Sequence, residues 1–292
     1  MGEKPLAQLI GSSFDSLKPL PDNLHRKASA LFREYMLVGG MPEPVRIYTE
    51  QRKFQPVEQA KRQIIELYRN DVARFARGYE FKVVSVLDGI PGQLSKHEKK
   101  FTLSSISKNA RMRTYEEAFF WLSDARIANI CYASTDPSVG LGLSVEQTSL
   151  KCYMADTGLL ATLALSTRAT DEEGVYRAVL RGDVGLNEGM LVENVVAQCL
   201  VANGRKLFFY SQSGKKENQQ RMEIDFLIVR PYANAAGKPR ISPIEVKSPR
   251  QYGTVSLDRL KETFDKKIGT QYVLHPKQMK IEGDRVYLPL YM

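Results

Sequence analysis

The chain has 292 residues, 43% hydrophobic and 26% charged, which is the composition of a globular protein long enough for two domains. Lysine and arginine number 42 and aspartate and glutamate 33, so the chain is basic and polyanions are plausible partners. The three cysteines and three histidines are scattered, which argues against a disulfide framework and a zinc site and favours a reducing, cytoplasmic setting. We expect no membrane span, because no apolar run approaches ~18 residues.

The first segment, residues 1–79, is predicted to be helical. Apolar positions keep helical spacing over residues 24–36 and again over residues 64–75. Gly39 and Gly40 end the first of these helices, and residues 41–44 are predicted to form a turn. An amphipathic helical pack accounts for both patterns.

Residues 80–167 are predicted to form a winged-helix domain. Its third helix is expected to open with a capping box made by Thr114 and Glu117. Three helices followed by two strands is the order of a winged helix. The predicted elements lie at 81–91, 101–108, 114–122, 126–132 and 149–154.

Basic residues concentrate ahead of this third helix, where Glu98 is the only acid between residues 96 and 113. We predict that these cations contact DNA phosphates. The alternative is a winged helix that contacts only proteins and whose lysines are merely solvated. The predicted DNA-binding residues are Lys96, Lys99, Lys100, Lys108, Arg111 and Arg113.

Residues 168–292 are predicted to form a mixed domain that begins with a helix over residues 187–203, with Gly204 as its stop. Glu193 lies on the edge of the apolar face of this helix, which is formed by Val192, Val196, Cys199 and Leu200. Strands and one further helix follow, with polar loops at 211–220 and 231–240 between them. The strands are predicted at 206–210, 221–230, 241–248, 270–274 and 285–290, and the helix at 255–264.

Two of these strands carry acids in a pattern that indicates a metal site. Residues 222–228 alternate, with Asp225 opposite the apolar face, and Glu245 and Lys247 share one face of the next strand. Neighbouring strands would therefore bring Asp225, Glu245 and Lys247 together. Two carboxylates beside a lysine form a hard oxygen site suited to Mg²⁺. The alternative is an exposed strand whose Glu and Lys are only a solvated face.

An Asp on one strand followed by Glu-x-Lys on the next resembles the metal-dependent nuclease superfamily named for its PD-(D/E)xK motif. The resemblance implies that the acids hold Mg²⁺ (or Mn²⁺), that the metal activates a water against a phosphodiester, and that the lysine assists. The family usually adds an acid from an upstream helix, and Glu193 matches that place. The implied catalytic set is Glu193, Asp225, Glu245 and Lys247, with Asp225, Glu245 and Glu193 as metal ligands.

Six stretches in order, at 37–44, 67–71, 149–160, 191–194, 223–225 and 245–247, are similar to the C-terminal region of a large group of prokaryotic AAA-type ATPases, a domain of unknown function. The resemblance implies an α+β or α/β chain: a helical and winged-helix part, then a restriction-endonuclease-like mixed sheet flanked by helices. No stretch fits the phosphate-binding pattern G-x-x-x-x-G-K-[ST], so we expect no nucleotide-binding residues and no ATP hydrolysis by this chain. The ATPase core is an expected partner in cis or in trans.

Three functions remain open from the sequence. The first is a Mg²⁺-dependent DNA endonuclease. The second is a catalytically silent DNA-binding or regulatory module in which the nuclease-like fold is a scaffold. The third is a protein-interaction appendage of the ATPase.

Overall fold

The computed structural model describes residues 3–96, 98–106, 108, 110–138, 140–165, 172–181, 183, 187–212, 221–230, 239–248 and 252–292. The protein is a mixed α+β fold, with an N-terminal helical part followed by mixed sheets and flanking helices, as predicted. The described chain divides into two compact units that are interleaved along the sequence. Unit 1 comprises Ala30–Ile130 and Lys151–Cys199, and unit 2 comprises Glu3–Ser29, Cys131–Leu150 and Leu200–Met292.

The helices are α1 (Lys4–Ser16), α2 (Asp22–Val38), α3 (Pro42–Gln51), α4 (Phe54–Phe75), α5 (Glu80–Leu94), α6 (Met112–Asp124), α7 (Thr157–Ala164), α8 (Glu172–Arg181), α9 (Glu188–Ala202) and α10 (Val255–Phe264). The strands are β1 (Ala128–Ser134), β2 (Val145–Met154), β3 (Leu207–Gln212), β4 (Met222–Ile224), β5 (Phe226–Arg230), β6 (Arg240–Val246), β7 (Gln271–His275), β8 (Lys280–Glu282) and β9 (Arg285–Pro289). Among the described residues, no helix combines the length and the apolar character that a membrane crossing requires. The polar loops predicted at 211–220 and 231–240 lie almost wholly outside the described residues.

Unit 1 is organised around α4, which packs against α3, α5, α7 and α8. Of the apolar stripe that the sequence predicts over residues 64–75, Ile65 and Val72 are buried, and Ile64 and Tyr68 are half-buried. Phe75 was expected on the same stripe, but 60% of its surface is exposed at the end of the helix. The stripe therefore stops one turn before the helix does.

The segment after α2 closes against the start of α7 through a buried carboxylate, Asp156. Its Oδ1 caps α7 by accepting the N–H of the third helical residue, and its Oδ2 accepts the Gly40 N–H at 2.6 Å. Gly39 has φ +83°, and a Cβ on it would lie 2.2 Å from Asp156 Oδ1. A Cβ on Gly158 would lie 2.3 Å from the Val38 carbonyl oxygen. The two segments meet at a distance that only glycine permits.

Residues 41–44 are not the turn that was predicted. Met41 precedes α3, and Pro42 is the first residue of that helix. Proline suits this position because its fixed φ matches the helix and its missing N–H would have no partner there. The proline-rich stretch therefore begins a helix.

The winged-helix interpretation of residues 80–167 is not supported. Between α5 and α6 the described residues form only a 3-10 turn at Leu103–Ser105, where a helix was predicted over residues 101–108. β1 pairs in parallel with β3, with Cys131 opposite Leu207. The strands that follow α6 thus belong to a larger mixed sheet.

The capping-box prediction at the start of α6 is wrong. The helix begins at Met112, so Thr114 lies inside its first turn. The Thr114 hydroxyl donates back to the Arg111 carbonyl at 2.9 Å, which is a common alternative for a threonine in a helix. The core face of the helix is confirmed: its predicted residues Tyr115, Ala118, Phe119 and Leu122 are all buried.

The strands form two mixed sheets, of which the second lies wholly within unit 2. The first has the strand order β2-β1-β3-β4, and the second has the order β5-β6-β7-β9-β8. In the second sheet β6, β7 and β9 are parallel, whereas β5 and β8 run antiparallel at the two edges. One face of this sheet buries Ile241 and Val273 against Leu257 and Leu260 of α10. The strand β8 was not predicted.

Candidate functional site

Asp225 lies at a break between two strands rather than inside one. The predicted strand over residues 221–230 is divided into β4, which pairs with β3, and β5, which pairs with β6. The half-buried Asp225 carboxylate accepts the backbone N–H of Val246 at 2.8 Å. This side chain therefore bonds a backbone amide at the end of β6, where strand pairing with β5 stops.

Glu245 and Lys247 lie at the end of β6. Glu245 is 2% exposed, and Lys247 Nζ is 2.8 Å from Glu245 Oε2. The Lys247 ammonium and Oε2 form an ion pair, and no further donor to this oxygen is found among the residues that the structure describes. Glu245 thus presents a buried carboxylate oxygen whose one close partner in the described structure is the Lys247 cation.

The sheet register brings these acids together. Phe226 is paired with Ile244, so Asp225 and Glu245 are the next residues along the same pair of strands. Burial raises the pKa of the Glu245 carboxyl to about 7; the Lys247 charge opposes this rise, and the nearby Asp225 charge adds to it. The structure therefore places Asp225, Glu245 and Lys247 in one cluster within unit 2.

A glutamine and an arginine that sequence reasoning missed lie on the next two strands of the sheet, β7 and β9. Glu245 is paired with Val273 on β7, so Gln271 lies on the same face, two residues away. Gln271 is 1% exposed, and its Oε1 accepts two bonds from Arg285, from Nε at 3.0 Å and from Nη2 at 2.8 Å. Gln271 Nε2 has no partner in the described part of the chain. The only sign of Gln271 in the sequence was a polar amide side chain at the start of a mostly apolar strand.

Glu193 is placed in unit 1, whereas the other three predicted catalytic residues are in unit 2. Its buried carboxylate is bonded by Lys99, by Lys151 at 3.3 Å and by the Tyr153 hydroxyl. Burial acts to raise the pKa of Glu193, but the charges of Lys151 and Lys99 with these hydrogen bonds outweigh it and lower the pKa. The role of Glu193 as a metal ligand stays a prediction. Cys199, expected on the apolar face of α9, is exposed.

The six predicted DNA-binding residues all belong to unit 1. Lys99 is committed to an internal contact, because its ammonium bonds Glu193 and its side chain is only 16% exposed. Lys96 donates to Gln93 at 3.1 Å and remains exposed. Lys100 is half-buried, and the three remaining cations, Lys108, Arg111 and Arg113, are exposed.

The donor set suits a hard divalent cation with few protein ligands. Within the described ranges, no three His, Cys, Asp or Glu residues lie close enough together to hold a metal ion. Mg²⁺ commonly keeps several waters and takes only one or two carboxylates from the protein. Asp225 and Glu245 meet that requirement.

Two family models match the chain. Residues 29–171 match a domain of unknown function (DUF8612), and residues 188–292 match a second domain of unknown function (DUF4143). The second is known as a C-terminal region of AAA-ATPase-like proteins. The predicted resemblance to the C-terminal region of such proteins is therefore confirmed, as a resemblance to a domain of unknown function. The second match includes all four predicted catalytic residues, Glu193, Asp225, Glu245 and Lys247. No curated protein and no solved structure matches the chain.

Proposed function

We propose that unit 2 carries a Mg²⁺-dependent phosphodiester-cleaving site built on Asp225, Glu245 and Lys247. The observation that supports it best is the Glu245 carboxylate, which is 2% exposed and whose Oε2 has the Lys247 ammonium as its one close partner among the described residues. Burying a carboxylate is costly, and a metal cation held between Glu245 and Asp225 would add to the Lys247 charge in reducing that cost. The same two acids and the lysine are the basis for proposing that this fold is nuclease-like.

Each residue of the cluster has a role that its position allows. Asp225 and Glu245 would hold Mg²⁺ or Mn²⁺, which when bound supplies an activated water and neutralises charge at the phosphate. Lys247, whose Nζ lies 2.8 Å from Glu245 Oε2, can orient a water at that carboxylate or donate to a phosphate oxygen. The Asp225 bond to the Val246 N–H holds its carboxylate in place.

The substrate in this proposal is DNA, and the setting is the cytoplasm. The phosphate contacts would come from exposed cations of unit 1, namely Lys96, Lys108, Arg111 and Arg113. Lys100, which lies among them in the sequence, is half-buried. An AAA-type ATPase core, in cis or in trans, is the proposed partner, because the second family match is a region that follows such cores.

Metal binding and DNA cleavage test the site directly. Calorimetric titration of the purified chain with Mg²⁺ and Mn²⁺ should show binding, and supercoiled and linear DNA should be cut at millimolar metal. Asp225→Asn and Glu245→Gln should abolish both signals, since each removes a negative ligand without changing side-chain size. Glu223→Gln, a change to a half-buried acid in β4, is the matched control and should keep both. If the chain neither binds metal nor cuts DNA, whether alone or with the ATPase partner, the nuclease proposal fails and the fold serves only as a scaffold.

The second candidate is a catalytically silent module that binds DNA or regulates the partner ATPase. It is favoured by Glu193, whose carboxylate is already neutralised by Lys99 and Lys151, so that only two acids remain for the metal. Under this alternative, Asp225→Asn would leave DNA affinity and any effect on the ATPase rate unchanged. Under the nuclease proposal it abolishes cleavage while DNA affinity is retained.

A further inference from the structure

The turn that joins α4 to α5 displays two phenylalanine rings to solvent. Phe75 is the last residue of α4 and is 60% exposed, and Phe81 is the second residue of α5 and is 78% exposed. Apolar rings of this size are mostly buried in soluble proteins, and exposed apolar patches are typical of binding surfaces. The turn between them is held by the Tyr79 N–H, which donates to the Ala76 carbonyl at 3.1 Å. The two rings are thus presented from helix ends rather than from a loose loop.

Cations accompany these rings. Between residues 72 and 82 the charged residues are Arg74, Arg77 and Lys82 against the single acid Glu80. Arg74 and Arg77 are exposed and Lys82 is half-buried. None of the three cations has a carboxylate within ion-pair distance among the residues that the structure describes. Their charges are therefore available to an anionic partner.

The acid of this turn, Glu80, bonds the backbone of the turn itself. Glu80 Oε2 accepts the backbone N–H of Gly78 at 2.9 Å. One of the cations, Arg74, lies over the neighbouring ring, with its Cζ 5.2 Å from the Phe75 centroid. A flat ring and a flat guanidinium therefore form one mixed surface in which positive charge and aromatic faces alternate.

We propose that this surface, formed by Arg74, Phe75, Arg77, Phe81 and Lys82, binds single-stranded nucleic acid. Unpaired bases offer both faces for stacking on aromatic rings, and the adjoining phosphates meet the cations. Bases inside a duplex are covered by their neighbours, so a duplex would use only the cations. The charge surplus favours a polyanion over an apolar protein partner. The inference does not depend on the cleavage site of unit 2, because binding needs no metal.

The test is fluorescence anisotropy with a labelled ~20-nucleotide oligothymidine in EDTA, where neither metal binding nor cleavage contributes. The Phe75→Ala/Phe81→Ala variant should weaken binding about 25-fold or more, since each of the two stacked bases contributes about five-fold or more to affinity. Both rings are exposed, so the variant should keep the fold, which circular dichroism checks. The matched control is Phe120→Ala on α6, a ring that is 73% exposed and has Glu116 and Asp124 one turn away on either side. It should bind like the unchanged chain.

Three outcomes would overturn the proposal. One is equal affinity of the double variant and the Phe120→Ala control for the oligothymidine. Another is a double variant that loses duplex binding as much as single-strand binding, because stacking would then not be involved. The third is binding to phosphatidylserine–phosphatidylcholine vesicles without binding to oligothymidine, which would make the surface a lipid contact. Absence of metal binding and of DNA cleavage in the unchanged chain, with single-strand binding intact, would sink only the nuclease proposal.

Discussion

At the scale of single residues, the carboxyl group of Glu245 is held in surroundings that favour its neutral form. Burial raises its pKa to about 7, against an ordinary value of 4.5, although Lys247 opposes this. The residue parity of a strand predicted that Glu245 and Lys247 share a face with Asp225. It could not predict that Asp225 leaves the strand ladder to accept the Val246 N–H, because a side-chain bond to a residue 21 positions away leaves no local pattern.

The raised pKa of Glu245 predicts a specific pH dependence. A carboxyl that ionises less readily in the folded state makes the free energy of unfolding fall as pH rises from 4.5 to about 7. Below that window the group is protonated in both states, and above it the full cost of ionisation, up to about 3 kcal/mol, is present. Urea unfolding of the metal-free chain at about pH 5 and about pH 8 measures this.

The Glu245→Gln variant removes the titrating group. The change in the free energy of unfolding between the two pH values should therefore differ from that of the unchanged chain by this amount. The Glu223→Gln control should not alter it. His275 titrates in the same range with the opposite sign, because burial lowers its pKa to about 4. The comparison between variants cancels that contribution. An identical pH dependence in Glu245→Gln would contradict the prediction.

At the scale of elements, long periodic segments were predictable and interrupted ones were not. α5, α9 and α10 follow from their apolar spacing, and Gly204 marks the end of α9. The strand at 221–230 was predicted as one element because both of its halves are apolar, yet they pair with different strands. The helices α1 and α3 were missed: α1 carries a mostly exposed, weakly apolar sequence, and the prolines that open α3 were interpreted as a turn.

The next prediction concerns Glu193 in helix α9. The Glu193 carboxylate bonds Lys99 and also bonds Lys151 and Tyr153 of β2. Glu193→Gln would leave two ammonium groups without their counter-charge in a buried place, and we expect a loss of about 3–5 kcal/mol of stability. Chemical denaturation measures it, with the exposed Glu188→Gln at the start of α9 as the control. Magnesium affinity measured under folding conditions separates two roles: it stays unchanged if Glu193 acts only within unit 1, and it falls if the carboxylate is also a metal ligand.

At the scale of the whole molecule, the two units are interleaved along the chain. Domains were predicted at 1–79, 80–167 and 168–292 from changes of pattern along the sequence. The contacts gather Ala30–Ile130 with Lys151–Cys199, and the remaining described segments form unit 2, so the compact units cross the predicted bounds, which stay a prediction of domains. Pairings between distant segments, such as that of β1 with β3, leave no local signal, so a reading in chain order could not anticipate them.

The distribution of charge over the molecule gives the last prediction. If the cations of residues 96–113 contact DNA phosphates, duplex affinity should fall steeply with salt, and Arg111→Gln/Arg113→Gln should reduce the slope of log affinity against log salt by about 1.8. Lys4→Gln/Lys18→Gln removes two exposed cations of unit 2 and is the charge-matched control. A slope equal in both variants would favour the protein-contact alternative for this stretch.

The contact between Gly158 and the Val38 carbonyl has a practical consequence for work in living cells. A single added methyl group there meets backbone atoms, which cannot rotate away as a side chain could, so Gly158→Ala strains a junction within unit 1. A few kcal/mol is a large part of the stability of a protein, and such a variant folds when cool and fails when warm. Gly158→Ala therefore offers a temperature-sensitive allele. A rise in growth temperature would unfold the protein at a chosen time, and the first cellular process to fail would identify the process in which the protein acts.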